Sequence, residues 1–333
     1  MTGVSSPDGP TVSDLSEDEL LALIFPQLPL GTATIVPPGD DAAVIAAPDG
    51  RFVVSTDVLV QDRHFRLAWS TGEDVGRRAA MQNLADIAAM GARPTSLVVA
   101  LVAPPDLPAS WVEGLARGLG AVCGPLGVGV VGGDLSSGAV AVVAVTVHGD
   151  LDGRAPVLRS GALVGDVVAH CGVRGWSAAG LALLAAGRGD ADRGLVAAYL
   201  RPVAPLAAGP VAAAGGAHAM LDVSDGLLRD AGRIARASGV VLDLDAPAAA
   251  FPEDLDRLAA AADLLGVDPA DWVLTGGEDH GLLATFAPGA PLPEPFRAVG
   301  HVRATEPDGG GPGVLVAGAA ARTRSPGWDH FRG

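Results

Sequence analysis

The residues best suited to chemistry are aspartates in five short clusters: GDD at 39–41, STD at 55–57, NLAD at 83–86, GGD at 132–134 and DVSDG at 222–226. Four of these end a strand or sit in a glycine-flanked turn, whereas Asp86 falls inside an alanine-rich helical stretch. Hard cations such as Mg2+ take oxygen ligands, usually a few carboxylates plus the phosphates of a substrate. Nearby glycines let the backbone approach an anion, and small hydroxyls add oxygen donors. Together this is the composition of a metal–nucleotide site, in which cations lie between two sets of negative groups.

Each cluster also has a plainer reading. A lone Gly-Asp or Asp-Gly is usually a turn. STD could cap a helix, but apolar VLV follows it; Ser224 or Asp225 could cap GLLRDAGRIA, in the geometry that also binds phosphate. Asp86 is harder to dismiss, because a buried carboxylate needs a partner and the chain has no lysine to supply one. His64 in QDRHF could be a surface residue, and Arg159 in LRSG a surface cation or a bidentate phosphate ligand. Glu278 and Asp279 follow paired glycines, as in a ligand-facing loop. Trp328 either stacks on a flat ring or anchors the tail.

The elements that must position these groups follow from length and pattern. A chain of 333 residues, 49% hydrophobic but only 4% aromatic, predicts two α/β or α+β domains packed from small side chains. The net charge of −16 argues against nucleic-acid binding. All 22 basic residues are arginine, which excludes a lysine Schiff base and a P-loop lysine. Phosphates would have to be neutralised by metal ions and arginine. Apolar runs such as TSLVVALVAP are too short to span a membrane, and the chain does not open like a secretory signal. Two cysteines, Cys123 and Cys171, make no disulfide framework, so a reduced cytoplasm is expected.

Along the chain, residues 1–14 read as a flexible leader, 15–150 as an N-terminal domain and 151–333 as a C-terminal one. Ser16 caps a helix that ends before Pro26. TATIVPPGDDAAVIAAPDGRFVVSTDVLV reads as strand, acidic loop, strand, turn, strand, and a helix over 74–90 stops at Gly91. TSLVVALVA is a strand, SWVEGLARGLGAVCGPLG a helix, and GVGVVGGDLSSG a strand ending in an acidic loop before the strand AVAVVAVTVHG. Later, helices are expected across 176–187 and 193–215, then a strand leading into a helix at MLDVSDGLLRDAGRIARASG and a turn and strand at WVLTGGEDHGLLATF.

Eight segments in order, GDDAAV, STDVLVQDRHF, NLADIAAMGARP, GGDLSS, RSGALVGD, DVSDGLLRDAGRIA, GGEDHGLL and GWDHF, resemble the thiamine-monophosphate kinase family of the AIR-synthase-like ATP-binding superfamily. The resemblance implies a PurM-like two-domain fold, with an N-terminal mixed sheet that pairs across a homodimer and a C-terminal α/β domain. It implies phosphoryl transfer from ATP to thiamine monophosphate, giving thiamine diphosphate. Asp40, Ser55, Thr56, Asp57, Asp86, Asp134, Asp222 and Asp225 match the family's magnesium ligands. Gly133, Asp134, Arg159 and Ser224 match its ATP contacts, and His64, Glu278 and Trp328 its thiamine-phosphate side. No general base is implied, Asp57 and Asp86 being the most critical. The chain departs from the family after GGED, where His280 and Gly281 replace an aromatic and a second acid; Asp41 and the segment 286–325 carry no assigned role. Rivals are AIR synthase, which fits the RHF and GGED segments less well, and a non-catalytic nucleotide-binding relative. Selenophosphate synthetase and the hydrogenase-maturation dehydratase need cysteines in an early glycine-rich segment and at the C-terminus, respectively, where this chain has none.

Overall fold

The computed structural model describes residues 9–38, 42–305, 311–321, 323 and 325–328; Asp40 and Asp41 lie outside the described residues. By contact pattern the chain divides into two units. The first comprises Met1–Asn83 and Pro94–Asp150, the second Leu84–Arg93 and Leu151–Gly333.

In the first unit Ser16 caps α1 (Glu17–Ile24), with the reciprocal Ser16/Glu19 box that its sequence spells. Strands β1 (Thr34–Val36) and β2 (Val44–Ile45) form a two-stranded sheet flanking the GDD segment. Helix α2 (Gly72–Ala89) separates β3 (Val53–Val60) from β4 (Arg93–Ala103), and α3 (Ala109–Cys123), β5 (Gly129–Ser137) and β6 (Val142–Asp150) follow. The four-stranded sheet runs β3-β6-β4-β5, antiparallel between β3 and β6 and parallel between β4 and β5. Glycines bring α2 and α3 together: a Cβ on Gly76 would lie 2.1 Å from the Leu115 carbonyl oxygen. The flexible leader expected over residues 1–14 needs correcting at its far end. Val12 N–H donates to Leu107 O at 2.8 Å and Ser13 N–H to Pro105 O at 2.9 Å, which ties residues 12 and 13 to the loop before α3.

The second unit contains a mixed six-stranded sheet, ordered β12-β9-β11-β7-β10-β8. In chain order its elements are β7 (Val167–Cys171), α4 (Trp176–Ala185), α5 (Arg193–Leu200), α6 (Ala208–Ala214), β8 (Ala219–Val223), α7 (Leu227–Ser238), β9 (Val241–Leu244), α8 (Pro247–Ala250), α9 (Pro252–Leu265), α10 (Pro269–Thr275), β10 (Gly281–Phe286), β11 (Arg297–Arg303) and β12 (Gly313–Val316). The single helix expected over 193–215 is two, α5 and α6, because Pro202 and Pro205 cannot donate to a helical ladder. A core of Leu183, Leu195, Leu221, Leu227, Ile234, Phe251, Leu258 and Leu283 holds α4, α7 and α9 against the sheet.

Candidate active site

In the second unit, three of the acidic or aromatic motifs meet. Strand β8 ends in DVSDG and β10 begins after GGEDH. The two strands pair antiparallel, with Val223 opposite Gly281 and Asp222 opposite Leu282, so their adjoining turns lie side by side. Glu278 N–H donates to Ser224 O at 2.8 Å. Glycine makes this approach possible: a Cβ on Gly277 would fall 2.4 Å from Ser224 O, and one on Gly226 2.6 Å from Thr275 O. The tail closes the cluster, since Trp328 N–H donates to Asp225 O at 2.8 Å and Arg229 N–H to Pro326 O at 3.1 Å. Asp222, Ser224, Asp225, Glu278 and Trp328 thus belong to one constellation, with the Trp328 side chain exposed.

Gly226, and neither Ser224 nor Asp225, occupies the cap position of α7, at φ 120°, ψ 142°, a backbone conformation that only glycine adopts freely. The Asp225 amide instead donates to Asp230 Oδ2 at 2.9 Å. Arg233 bridges the carboxylates of Asp225 and Asp230. Burial pushes the Asp230 carboxyl up to about 6, against the pull of Arg233.

The adjacent acids of GGED point in different directions. Asp279 is buried: its carboxylate accepts from Gly175 N–H at 2.6 Å and Ser177 N–H at 2.8 Å, at the N-terminus of α4, with Arg174 Nη1 at 3.5 Å. Burial nevertheless holds its carboxyl above the usual range. Glu278 remains partly exposed. His280 is buried beside it, with Nδ1 3.2 Å from Asp222 Oδ2 and Nε2 3.9 Å from Glu278 Oε2. Burial disfavours its imidazolium, but the two carboxylates outweigh that and raise the group to about 10.

In the first unit the STD cluster lies on β3, where side chains alternate. Ser55 and Asp57 share one face, while Thr56 is on the other, donating to Val145 O at 2.9 Å. Gln82 Nε2 donates to Asp57 Oδ2 at 3.3 Å. His64 sits in the turn after β3, where its Nδ1 accepts from Val60 N–H at 2.9 Å. Gly133 and Asp134 lie on the edge strand β5, and a Cβ on Gly133 would fall 1.9 Å from Val99 O. Asp134 is exposed; Asp86, on the last turns of α2, which belong to the second unit, is half-buried. Arg159 is exposed in the loop before β7, its carbonyl accepting from Ser238 Oγ at 3.2 Å.

These donors are carboxylate and hydroxyl oxygens, the set that suits magnesium. Among the described residues, no three His, Cys, Asp or Glu side chains are grouped closely enough to hold a metal by themselves. Both cysteines are buried free thiols, and burial pushes the Cys123 thiol up to about 12 and the Cys171 thiol to about 11, away from the reactive thiolate. The sequence reading missed the bracing cations Arg174 and Arg233 and the double contact of His280. The only signal for the last was a histidine two residues after Glu278.

Residues 39–151 match the family model for the AIR synthase related protein, N-terminal domain, and residues 164–288 the C-terminal domain. The chain is 48% identical over 324 residues to the thiamine-monophosphate kinase of Mycobacterium tuberculosis, covering 97% of this chain and 94% of that one. It resembles the crystal structure of thiamine monophosphate kinase from Aquifex aeolicus at 30% identity, with a TM-score of 0.74 over 85% of this chain and 92% of that one. A structure described as AaThiL complexed with AMPPCP and TMP matches at 30% identity and a TM-score of 0.76, covering 97% of this chain and 100% of that one.

Proposed function

This chain belongs to the thiamine-monophosphate kinase family, and from that membership we infer that it transfers the γ-phosphoryl group of ATP to thiamine monophosphate, giving thiamine diphosphate and ADP. The observation that carries this reading is the 48% identity to a thiamine-monophosphate kinase across nearly the whole chain. The solved relative with AMPPCP and TMP supports it, because those two ligands occupy the roles of nucleotide and acceptor.

A phosphate oxygen of thiamine monophosphate attacks the γ-phosphorus; that P–O bond forms as the bond to the β,γ-bridging oxygen breaks, and ADP leaves with the electron pair. The attacking oxygen is already anionic near neutral pH, so no general base is required. Catalysis is positioning plus electrostatic stabilisation. We assign Gly133, Asp134, Arg159 and Ser224 to ATP, with the Arg159 guanidinium suited to bidentate phosphate contact. His64, Glu278 and Trp328 are assigned to thiamine monophosphate, Trp328 offering an exposed face for a flat ring. Asp40, Ser55, Thr56, Asp57, Asp86, Asp134, Asp222 and Asp225 are assigned as magnesium ligands. Thr56 is the weakest member, since its hydroxyl is on the other face of β3 from Asp57 and already bonded to Val145 O. Magnesium, when bound, neutralises phosphate charge and orients the transferring group.

We also propose a cytoplasmic homodimer. Val54 and Val58 are exposed on the edge strand β3, with exposed Phe52 just before it, an apolar row suited to burial against a second copy. Both cysteines are unpaired thiols, as in a reducing compartment, and among the described residues no helix is long and apolar enough to cross a membrane.

The deciding assay supplies purified protein with ATP and magnesium and compares thiamine monophosphate with formylglycinamidine ribonucleotide. Conversion of the first to the diphosphate is expected. Its absence across a range of magnesium, or turnover of the second alone, overturns the reading.

A further inference from the structure

We propose that His280 is a positioning residue that fixes Glu278 for thiamine monophosphate. This role builds on the assignment of Glu278 to thiamine monophosphate. The imidazole is wedged between two carboxylates on adjoining turns, with Nδ1 3.2 Å from Asp222 Oδ2 and Nε2 3.9 Å from Glu278 Oε2, and it is buried. Among the described residues its Nε2 has no hydrogen-bond partner; that nitrogen lies at an ion-pair distance from the Glu278 carboxylate.

The backbone supports the same role. Glu278 and His280 both sit in the left-handed region, at φ 69° and 53°, although neither is glycine. Non-glycine residues there are strained and persist only where surrounding structure over-determines them. The over-determining element is Asp279 between them, whose two carboxylate oxygens are taken by the Gly175 and Ser177 amides of α4. Asp279 is therefore committed inward and cannot restrain its neighbour's side chain. Arg174 is committed too, its guanidinium bonding the carbonyls of Val273 and Gly276. His280 faces Glu278 instead.

The test uses the full-length enzyme and measures KM for each substrate, kcat and the thermal midpoint. Asn places its amide near the Nδ1 position of histidine, and Gln reaches toward Nε2. His280→Asn keeps a donor for Asp222 and loses the Glu278 contact. It should raise KM for thiamine monophosphate about ten-fold, the size of one charged contact, with KM for ATP and the thermal midpoint unchanged. His280→Gln should recover part of that loss. In a Glu278→Gln background His280→Asn should have no further effect, because the residue it positions is already altered. Wild-type KM values in His280→Asn overturn the proposal; so do equal losses for both substrates with a lowered midpoint, which mark a structural role, and additivity in the double variant. Failure of the underlying assignment looks different: Glu278→Gln alone then leaves KM for thiamine monophosphate unchanged. An effect of His280→Asn in that circumstance does not pass through Glu278, and this also refutes the proposal.

Discussion

Replacing Gly226 by alanine should damage activity more than its position outside the acidic side chains suggests. At φ 120° and ψ 142° an alanine is strained, by about 1–3 kcal/mol. The new methyl would also lie 2.6 Å from Thr275 O and 3.2 Å from Gly327 Cα, against an ordinary contact of 3.4 Å or more. The turn must therefore shift by about 0.8 Å against Thr275, at a further overpacking cost of roughly 1–3 kcal/mol. Together the loss is about 2–6 kcal/mol, or a fall of roughly 4–24 °C in the melting of a unit this size. Thr275 ends α10 and leads through Gly276 and Gly277 to Glu278, so the displacement passes directly into the site. A misplacement near 1 Å can cost on the order of 100-fold in rate. Gly239, at the other end of the same helix, provides the control: its φ is 69° but no atom lies within 4 Å of a Cβ there. Gly239→Ala should cost only about 1 kcal/mol and leave kcat/KM intact. Calorimetry and steady-state kinetics on both variants decide the matter. If Gly226→Ala matches Gly239→Ala in both measurements, the close approach of the two turns is not what organises the site.

Asp57→Asn and Asp86→Asn should each lower kcat by about 100-fold or more with circular dichroism and melting unchanged; near-normal turnover in both would make these carboxylates structural. Arg159→Lys should raise KM for ATP about ten-fold, since an ammonium cannot make a bidentate phosphate contact, and an unchanged KM removes Arg159 from the nucleotide. With ATP held fixed, raising magnesium beyond one ion per nucleotide should keep increasing the rate, and saturation at one equivalent would contradict the proposed set of ligands. Stability should fall on acidification below about pH 6.5 through His170, whose buried ring is held well below its usual value first by desolvation and then by Arg174 and Arg297. The unfolded chain takes up a proton there that the folded chain refuses, so the stability present above that pH is lost below it, by up to about 1.4 kcal/mol per pH unit. His170→Leu should flatten the slope measured by urea unfolding between pH 7 and 5.

Features with a short-range cause were legible in the sequence. Ser16 and Glu19 are three residues apart and form the capping box, and Gly91 ends α2 at φ 73°. The acidic clusters at strand ends were visible as composition alone, and the pairing of β8 with β10 then brings DVSDG beside GGEDH. What failed depended on distant partners. Nothing near Glu278 and Asp279 says which faces inward; that is settled by the Gly175 amide, 104 residues away. Ser224 and Asp225 have ideal capping chemistry, yet the close approach of Thr275 O to Gly226 fixes a conformation that leaves both outside the helix start.

The absence of lysine has a consequence for how phosphate charge is met in the second unit. Arg233 is shared between Asp225 and Asp230, Arg174 braces Asp279 and the end of α10, and His280 lies between Asp222 and Glu278. Each of these cations already offsets a carboxylate of the same constellation. An arriving triphosphate therefore meets acids with their local countercharge spent, on a chain of net charge −16. Long-range steering by such a chain repels a bare polyanion. Beyond the contact proposed for Arg159, the neutralising charge would then have to arrive with the nucleotide, and the paired cations serve a different end, holding carboxylates at fixed angles so that oxygen donors are already oriented when the charge-bearing substrate enters.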